Sequence, residues 1–96
     1  MRKRQQDSND QRLTVFLPDG AVAGRVIRYS ETGMEAQMER SVPRNERLRF
    51  TLHIPGGVVG GDVTCVAMEE RHCRLQFAAL TAQDRARLEP MMEPEE

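Results

Sequence analysis

The side chains that most often perform chemistry are distributed here in a way that argues against a catalytic set. His53 and His72 fall on the outward phase of separate alternating stretches. Neither has a cysteine or carboxylate at metal-ligand spacing, so both are expected to be solvated surface histidines and no metal site is expected. Cys65 and Cys73 share the phase of inward hydrophobic residues, which suits buried structural thiols better than a disulfide or a metal pair. Ser8, Ser30 and Ser41 have no histidine or lysine placed to activate them. The run GGVVGG at 56–61 lacks the Lys-Ser/Thr that a phosphate loop carries after its last glycine, and it reads as a turn plus a bulge. An enzyme is not expected. One constellation remains: Arg28-Tyr29-Ser30-Glu31-Thr32-Gly33, downstream of the basic start Arg2-Lys3-Arg4.

Charge is segregated along the chain. Residues 1–28 carry six basic and three acidic side chains, whereas the stretch from Asp84 onward carries five acids and two arginines. A basic start and an acidic finish can steer an anionic ligand to one end, and solvated termini account for the same pattern equally well. The formal net charge of −1 argues against a general nucleic-acid binder held by a strong positive field. With 96 residues there is room for a single core. The longest apolar runs, Cys65-Val66-Ala67-Met68 and Phe77-Ala78-Ala79-Leu80, span four residues where a bilayer crossing needs about 20. The charged start leads into polar residues rather than a signal-peptide core. A soluble, cytoplasmic protein with reduced thiols and no membrane partner is the expectation.

The elements that would position the constellation follow from alternation and turn residues. Residues 1–11 have no large apolar side chain after Met1 and are read as a flexible basic and polar arm. Leu13, Val15 and Leu17 form a strand ended by Pro18-Asp19-Gly20, where proline presets the turn and glycine takes a conformation closed to other residues. Residues 21–29 return as a second strand, and the adjacent pair Val26-Ile27 suggests a bulge or a strand shared between two faces. After the corner at 30–33, Met34, Ala36 and Met38 alternate with Glu35, Gln37 and Glu39. Leu48, Phe50, Leu52 and Ile54 make the clearest strand of the chain, opposite Arg47, Arg49, Thr51 and His53. Pro55-Gly56-Gly57 turns the chain into a strand at 58–68, with Gly60-Gly61 marking a bend. Glu69-Glu70-Arg71 makes a hairpin into residues 72–77, where Cys73, Leu75 and Phe77 face inward. The period changes only at the end: Thr81 is placed to cap a short helix, Asp84 suits its dipole, and Leu88, Met91 and Met92 fall at helical spacing. Arg85 and Glu89 stand at i,i+4, and Pro90 limits the helix. Six short strands at hairpin spacing and one helix predict an all-β, closed or nearly closed antiparallel barrel. The domain is expected over residues 12–92, with an acidic tail at 93–96.

Arg28-Tyr29-Ser30-Glu31-Thr32-Gly33, the hairpin before it, the long strand with its glycine-rich return, and Arg74-Leu75-Gln76-Phe77 ahead of a terminal helix together resemble the PilZ domain family. The resemblance covers residues 12 to about 90. It implies a six-stranded antiparallel barrel with a short C-terminal helix that binds cyclic di-GMP in a bacterial cytoplasm. In that family the ligand is clamped by Arg-x-x-x-Arg in the arm before the first strand and by Asp/Asn-x-Ser-x-x-Gly at the corner. Arginine suits both phosphate and the O6/N7 edge of guanine, and an oxygen acceptor suits guanine's N–H donors. The resemblance therefore implies Arg2, Arg4, Arg28, Ser30 and Gly33 as ligand-binding residues.

The sequence departs from that pattern twice. Arg28 stands at the Asp/Asn position, so an acceptor has become a donor-only cation. Arg4 is followed four residues on by Ser8, and Arg2 by Gln6, so the arm has no Arg-x-x-x-Arg. Each lost charge-assisted contact costs on the order of 1.5–3 kcal/mol, roughly ten- to hundredfold in affinity. The plainer reading of Ser30 and Gly33 is a corner whose hydroxyl and bare backbone close a turn. The leading expectation is a non-catalytic cyclic di-GMP-signalling module, with no cofactor, that couples occupancy to contact with an unidentified protein partner. The alternative is a divergent adaptor that binds no nucleotide and acts by protein contact, in pilus or flagellar regulation by family analogy. An unrelated oligonucleotide-binding barrel would want exposed aromatic platforms, and Phe16, Phe50, Phe77 and Tyr29 mostly look inward.

Overall fold

Alternation along each strand is obeyed in three dimensions. The computed structural model describes residues 11–93, and its strands are β1 (Gln11–Leu17), β2 (Gly20–Ser30), β3 (Gly33–Met38), β4 (Arg47–Ile54), β5 (Gly57–Glu69) and β6 (His72–Ala79). They pair in the order β1-β4-β5-β6-β3-β2, and β2 returns to β1, so the antiparallel sheet closes into a six-stranded barrel. Short hairpins make four of these pairings. Closure needs the two non-local ones, β1 with β4 (Leu13 opposite Leu52) and β3 with β6 (Ala36 opposite Cys73). The connection at 39–46 makes them reachable by crossing from one side of the barrel to the other.

The interior is filled by the inward phase of every strand. Leu13, Val15, Val26, Ala36, Phe50, Leu52, Val59, Val63, Cys65 and Cys73 are fully buried. Close packing makes this set sensitive to volume; truncating Leu52 to alanine would cost about 2–5 kcal/mol. Phe77 is only half-buried and leans on Phe50, ring centroids 6.3 Å apart. Phe16, by contrast, is exposed, on the outward phase of a strand whose Leu13 and Val15 fill the core. The expected bulge in β2 is present, as a register shift between Val26 and Arg28 that turns Ile27 outward. In β5 the register slips between Asp62 and Val63, just past Gly60-Gly61, and again between Cys65 and Ala67.

The C-terminal helix α1 (Ala82–Leu88) begins where expected, with the Asp84 amide donating to Thr81 Oγ1 at 3.1 Å. Leu88 is fully buried. Pro90 then tightens the chain into a 3-10 turn at Glu89–Met91, so Met91 and Met92 leave the helical spacing. Met92 and Glu93 form a two-residue strand, β7, parallel to β2 opposite Tyr29 and Ser30. The helix is fastened to two hairpin corners at once. Arg85 Nη2 donates to the Glu31 carbonyl at 2.8 Å, taking up the guanidinium that sequence spacing assigned to Glu89. Arg87 Nη1 donates to the Val58 carbonyl at 3.1 Å. One end of the barrel is thereby covered by the helix, and that end carries the β2–β3 corner.

Candidate site at the corner between β2 and β3

The corner is built by Ser30. Its Oγ accepts from the Gly33 amide at 3.2 Å and from the Thr32 amide at 3.4 Å, which folds residues 30–33 into a tight turn. The hydroxyl's other neighbours, Thr32 Oγ1 and the Gly33 carbonyl, both stand at 3.4 Å, long for an O–H donor. The oxygen is therefore fixed by the backbone while the proton is held loosely. Gly33 has a separate reason to be glycine: a Cβ there would fall onto the Leu75 carbonyl of β6. The adjacent Phe77 amide donates to the Thr32 carbonyl at 2.8 Å, so the corner is drawn against β6.

Arg28 sits one bulge ahead of this turn, opposite Glu35 in the β2–β3 ladder. Its Nη2 donates to Glu35 Oε2 at 2.8 Å. Glu35 Oε1 also lies 3.4 Å from Nε2 of His72, whose side chain stays on the surface, as its outward phase predicts. Burial acts to raise the Glu35 carboxyl, but the Arg28 hydrogen bond and charge, with His72 and Arg74, outweigh it and hold the carboxyl below its ordinary range. Nothing in the alternation pattern alone names Glu35 as Arg28's partner; the register across the hairpin does.

Tyr29, between Arg28 and Ser30, turns inward and is buried, and its hydroxyl has no hydrogen-bond partner among the described residues. Burial pushes its ionisation far upward, so the phenol stays neutral. On the far side, β7 pairs with Tyr29 and Ser30 along the same edge of β2 that β1 occupies further down. Arg28, Ser30 and Gly33 are thus brought together as the sequence implied. Arg2 and Arg4 lie outside the described residues. Sequence reasoning did not find Arg85 or β7, which brace the corner, because their contacts join segments more than fifty positions apart.

Elsewhere, Cys65 and Cys73 are free and buried, and burial, with Cys65 beside it, pushes the Cys73 thiol up to about 12. No cluster of three metal-ligating side chains occurs among the described residues, and no helix among them is long and apolar enough to cross a membrane.

The order of strands, the helix over one barrel end and the Ser-x-x-Gly corner agree with a family comparison: the model for the PilZ domain matches residues 3–93. The chain belongs to the PilZ domain family. As a PilZ domain it is a module of the cyclic di-GMP-binding type, and the match runs through both the corner and the arm that carries Arg4. No curated protein and no solved structure matches the chain. The PilZ corner here keeps its hydroxyl and its glycine, and it carries an internally paired cation where the family places an oxygen acceptor.

Proposed function

We propose that this PilZ domain is a non-catalytic receptor module that binds cyclic di-GMP weakly at the β2–β3 corner and passes occupancy to a protein partner. The observation that carries the reading is the state of the Ser30 hydroxyl. Backbone amides fix its oxygen, and among the described residues its proton has only 3.4 Å neighbours, so it is positioned to donate to an anionic oxygen without dismantling the turn. Arg2 and Arg4 supply the guanidiniums for the two phosphates. β1 begins at Gln11 opposite Val26, so the arm joins the barrel two residues from Arg28. Beyond the stretch paired with β1, the same edge of β2 is taken by β7 at Tyr29 and Ser30.

A second reading is favoured by the Arg28–Glu35 ion pair. A corner whose cation is neutralised from within suits an adaptor that has given up the nucleotide and works through protein contact alone. Calorimetric titration of cyclic di-GMP into the wild-type chain and into an Arg4→Ala/Ser30→Ala variant separates the two. Saturable heat that disappears in the variant, with the melting temperature moved by no more than a few degrees, supports the receptor. Absence of heat from the wild type at low salt supports the adaptor, and heat that survives both substitutions places the ligand elsewhere.

A further inference from the structure

A second concentration of positive charge lies on the barrel wall, away from the corner. Arg12 of β1 stands directly opposite Arg25 of β2, and Arg25 stands opposite Gln37 of β3, so two guanidiniums and an amide share one row across three strands. Ala23, small and on the same outward phase, keeps that part of β2 low beside a groove of about 520 Å³ bounded by Arg12, Arg25, Gln37, Glu39 and Arg71. This is the size of a small-ligand site.

One feature of the groove carries an energetic disadvantage that the barrel itself does not need. Like charges directly opposite each other in an antiparallel ladder repel. No side chain among the described residues forms an ion pair with Arg12, Arg25 or Arg71. Among the described residues that line the groove, Glu39 is the single carboxylate against the three arginines. Arg71 also owes its place to a strained neighbour. Glu70 adopts φ 58°, a region that a residue with a side chain enters reluctantly. The resulting turn sets the Arg71 carbonyl to receive the Met38 amide at 2.8 Å, which docks the β5–β6 hairpin against the groove. The two-residue loop Glu70-Arg71 of this hairpin calls for that positive φ at its first position.

We propose that the groove between Arg12, Arg25 and Arg71 is a binding site for a small phosphorylated ligand bearing a pyrophosphate group, independent of the corner. Two adjacent phosphates match three guanidiniums in charge and in hydrogen-bond geometry, since each guanidinium presents a planar fork of donors. A bridging dianion relieves the Arg12–Arg25 repulsion, and Gln37 adds a neutral amide at the margin. The site rests on the barrel wall alone, so it stands or falls separately from the proposal for cyclic di-GMP.

The test is a titration of the full chain at low salt with inorganic pyrophosphate and, separately, with ADP, following backbone amide resonances and melting temperature. Sodium sulfate at matched ionic strength is the control. Saturable shifts at Gly24, Arg25, Gln37 and Met38, with a rise in melting temperature larger than that given by sulfate, are expected. Pyrophosphate binding as tight as ADP binding identifies the phosphates as the whole ligand; tighter ADP binding identifies a nucleotide. Arg25→Ala and Arg71→Ala should each weaken binding about tenfold or more, with Arg25→Gln as a second substitution should the alanine variant fold poorly. Ser30→Ala should leave it unchanged. Absence of saturation by 10 mM pyrophosphate (on the order of a thermodynamically negligible site), a response equal to that of sulfate, or binding that survives both arginine substitutions would overturn the proposal.

Discussion

Arg28 and Glu35 face each other across the β2–β3 ladder and are joined by a 2.8 Å hydrogen bond from Nη2 to Oε2. The residue that stands where the PilZ pattern has an acceptor is thus occupied within the barrel, by a carboxylate from the neighbouring strand. To offer its full fork of donors to a phosphate, Arg28 must leave Glu35. The pair is partly exposed, 54% for the arginine side chain and 25% for the glutamate, so parting it costs no more than about 1 kcal/mol.

That cost sets the size of the first expected effect. Glu35→Gln frees Arg28 and removes a nearby negative charge, and should tighten cyclic di-GMP by up to about fivefold in calorimetric titration. Unchanged affinity would mean that Arg28 takes no part in binding.

The same pair carries a pH dependence. Glu35 is held below its ordinary value of 4.5 in the folded chain, with burial opposing and Arg28, His72 and Arg74 prevailing. A carboxyl lowered on folding contributes stability that is complete above its unfolded value and fades as pH falls through the folded one. Urea titrations below pH 4.5 should therefore show a loss in the wild type that is smaller in Glu35→Gln. Equal losses in the two proteins would assign the acid sensitivity to other carboxylates.

Ser30 and Gly33 should separate cleanly in stability. Gly33→Ala drives a methyl group into the Leu75 carbonyl and is expected to cost about 3 kcal/mol through displacement of β3 from β6. Ser30→Ala removes one capping acceptor at a partly exposed turn and should cost about 1 kcal/mol. Chemical denaturation of the two variants checks the order, and a Gly33→Ala protein as stable as wild type would contradict the close approach.

Tyr29 offers the opposite sign. Its buried hydroxyl has no partner among the described residues, so Tyr29→Phe should stabilise the barrel by about 1 kcal/mol or more. A loss of stability would show that the hydroxyl is satisfied in solution.

The thiols should be silent in the native state. Both are buried, and the Cys73 thiol, pushed up to about 12, remains protonated at neutral pH. Modification by a thiol reagent at pH 8, a working value about half a unit below the free thiol's ordinary pKa, should follow the rate of unfolding and accelerate in denaturant. Fast modification without denaturant would contradict the packing around β5 and β6.

Most of the barrel was legible because period-two alternation is a local signal. Leu48 through Ile54 announced β4, and Val26-Ile27 announced the bulge, from neighbours in sequence alone. Ser30 and Gly33 were legible for the same reason, as a short motif. What could not be read is whatever depends on register or on distant segments. Arg28 finds Glu35 only once the hairpin register is fixed; Arg85 finds the Glu31 carbonyl only once the helix lies across the barrel end. Met92 is read from sequence as part of the helix and Glu93 as the start of an acidic tail, yet the two form a strand along the edge of β2 beyond β1. Phe16 shows the limit of composition: an aromatic side chain lies outward when its place in the alternation puts it there.

The central claim, that cyclic di-GMP sits at the corner between β2 and β3, is tested most directly by following backbone amides while the nucleotide is added. The Thr32 and Gly33 amides, which donate to Ser30 Oγ, should shift saturably, together with the Arg28 and Glu35 resonances as their ion pair opens. Shifts confined to Gly24, Arg25 and Met38, or none at the corner at nucleotide concentrations that saturate any other response, would contradict it.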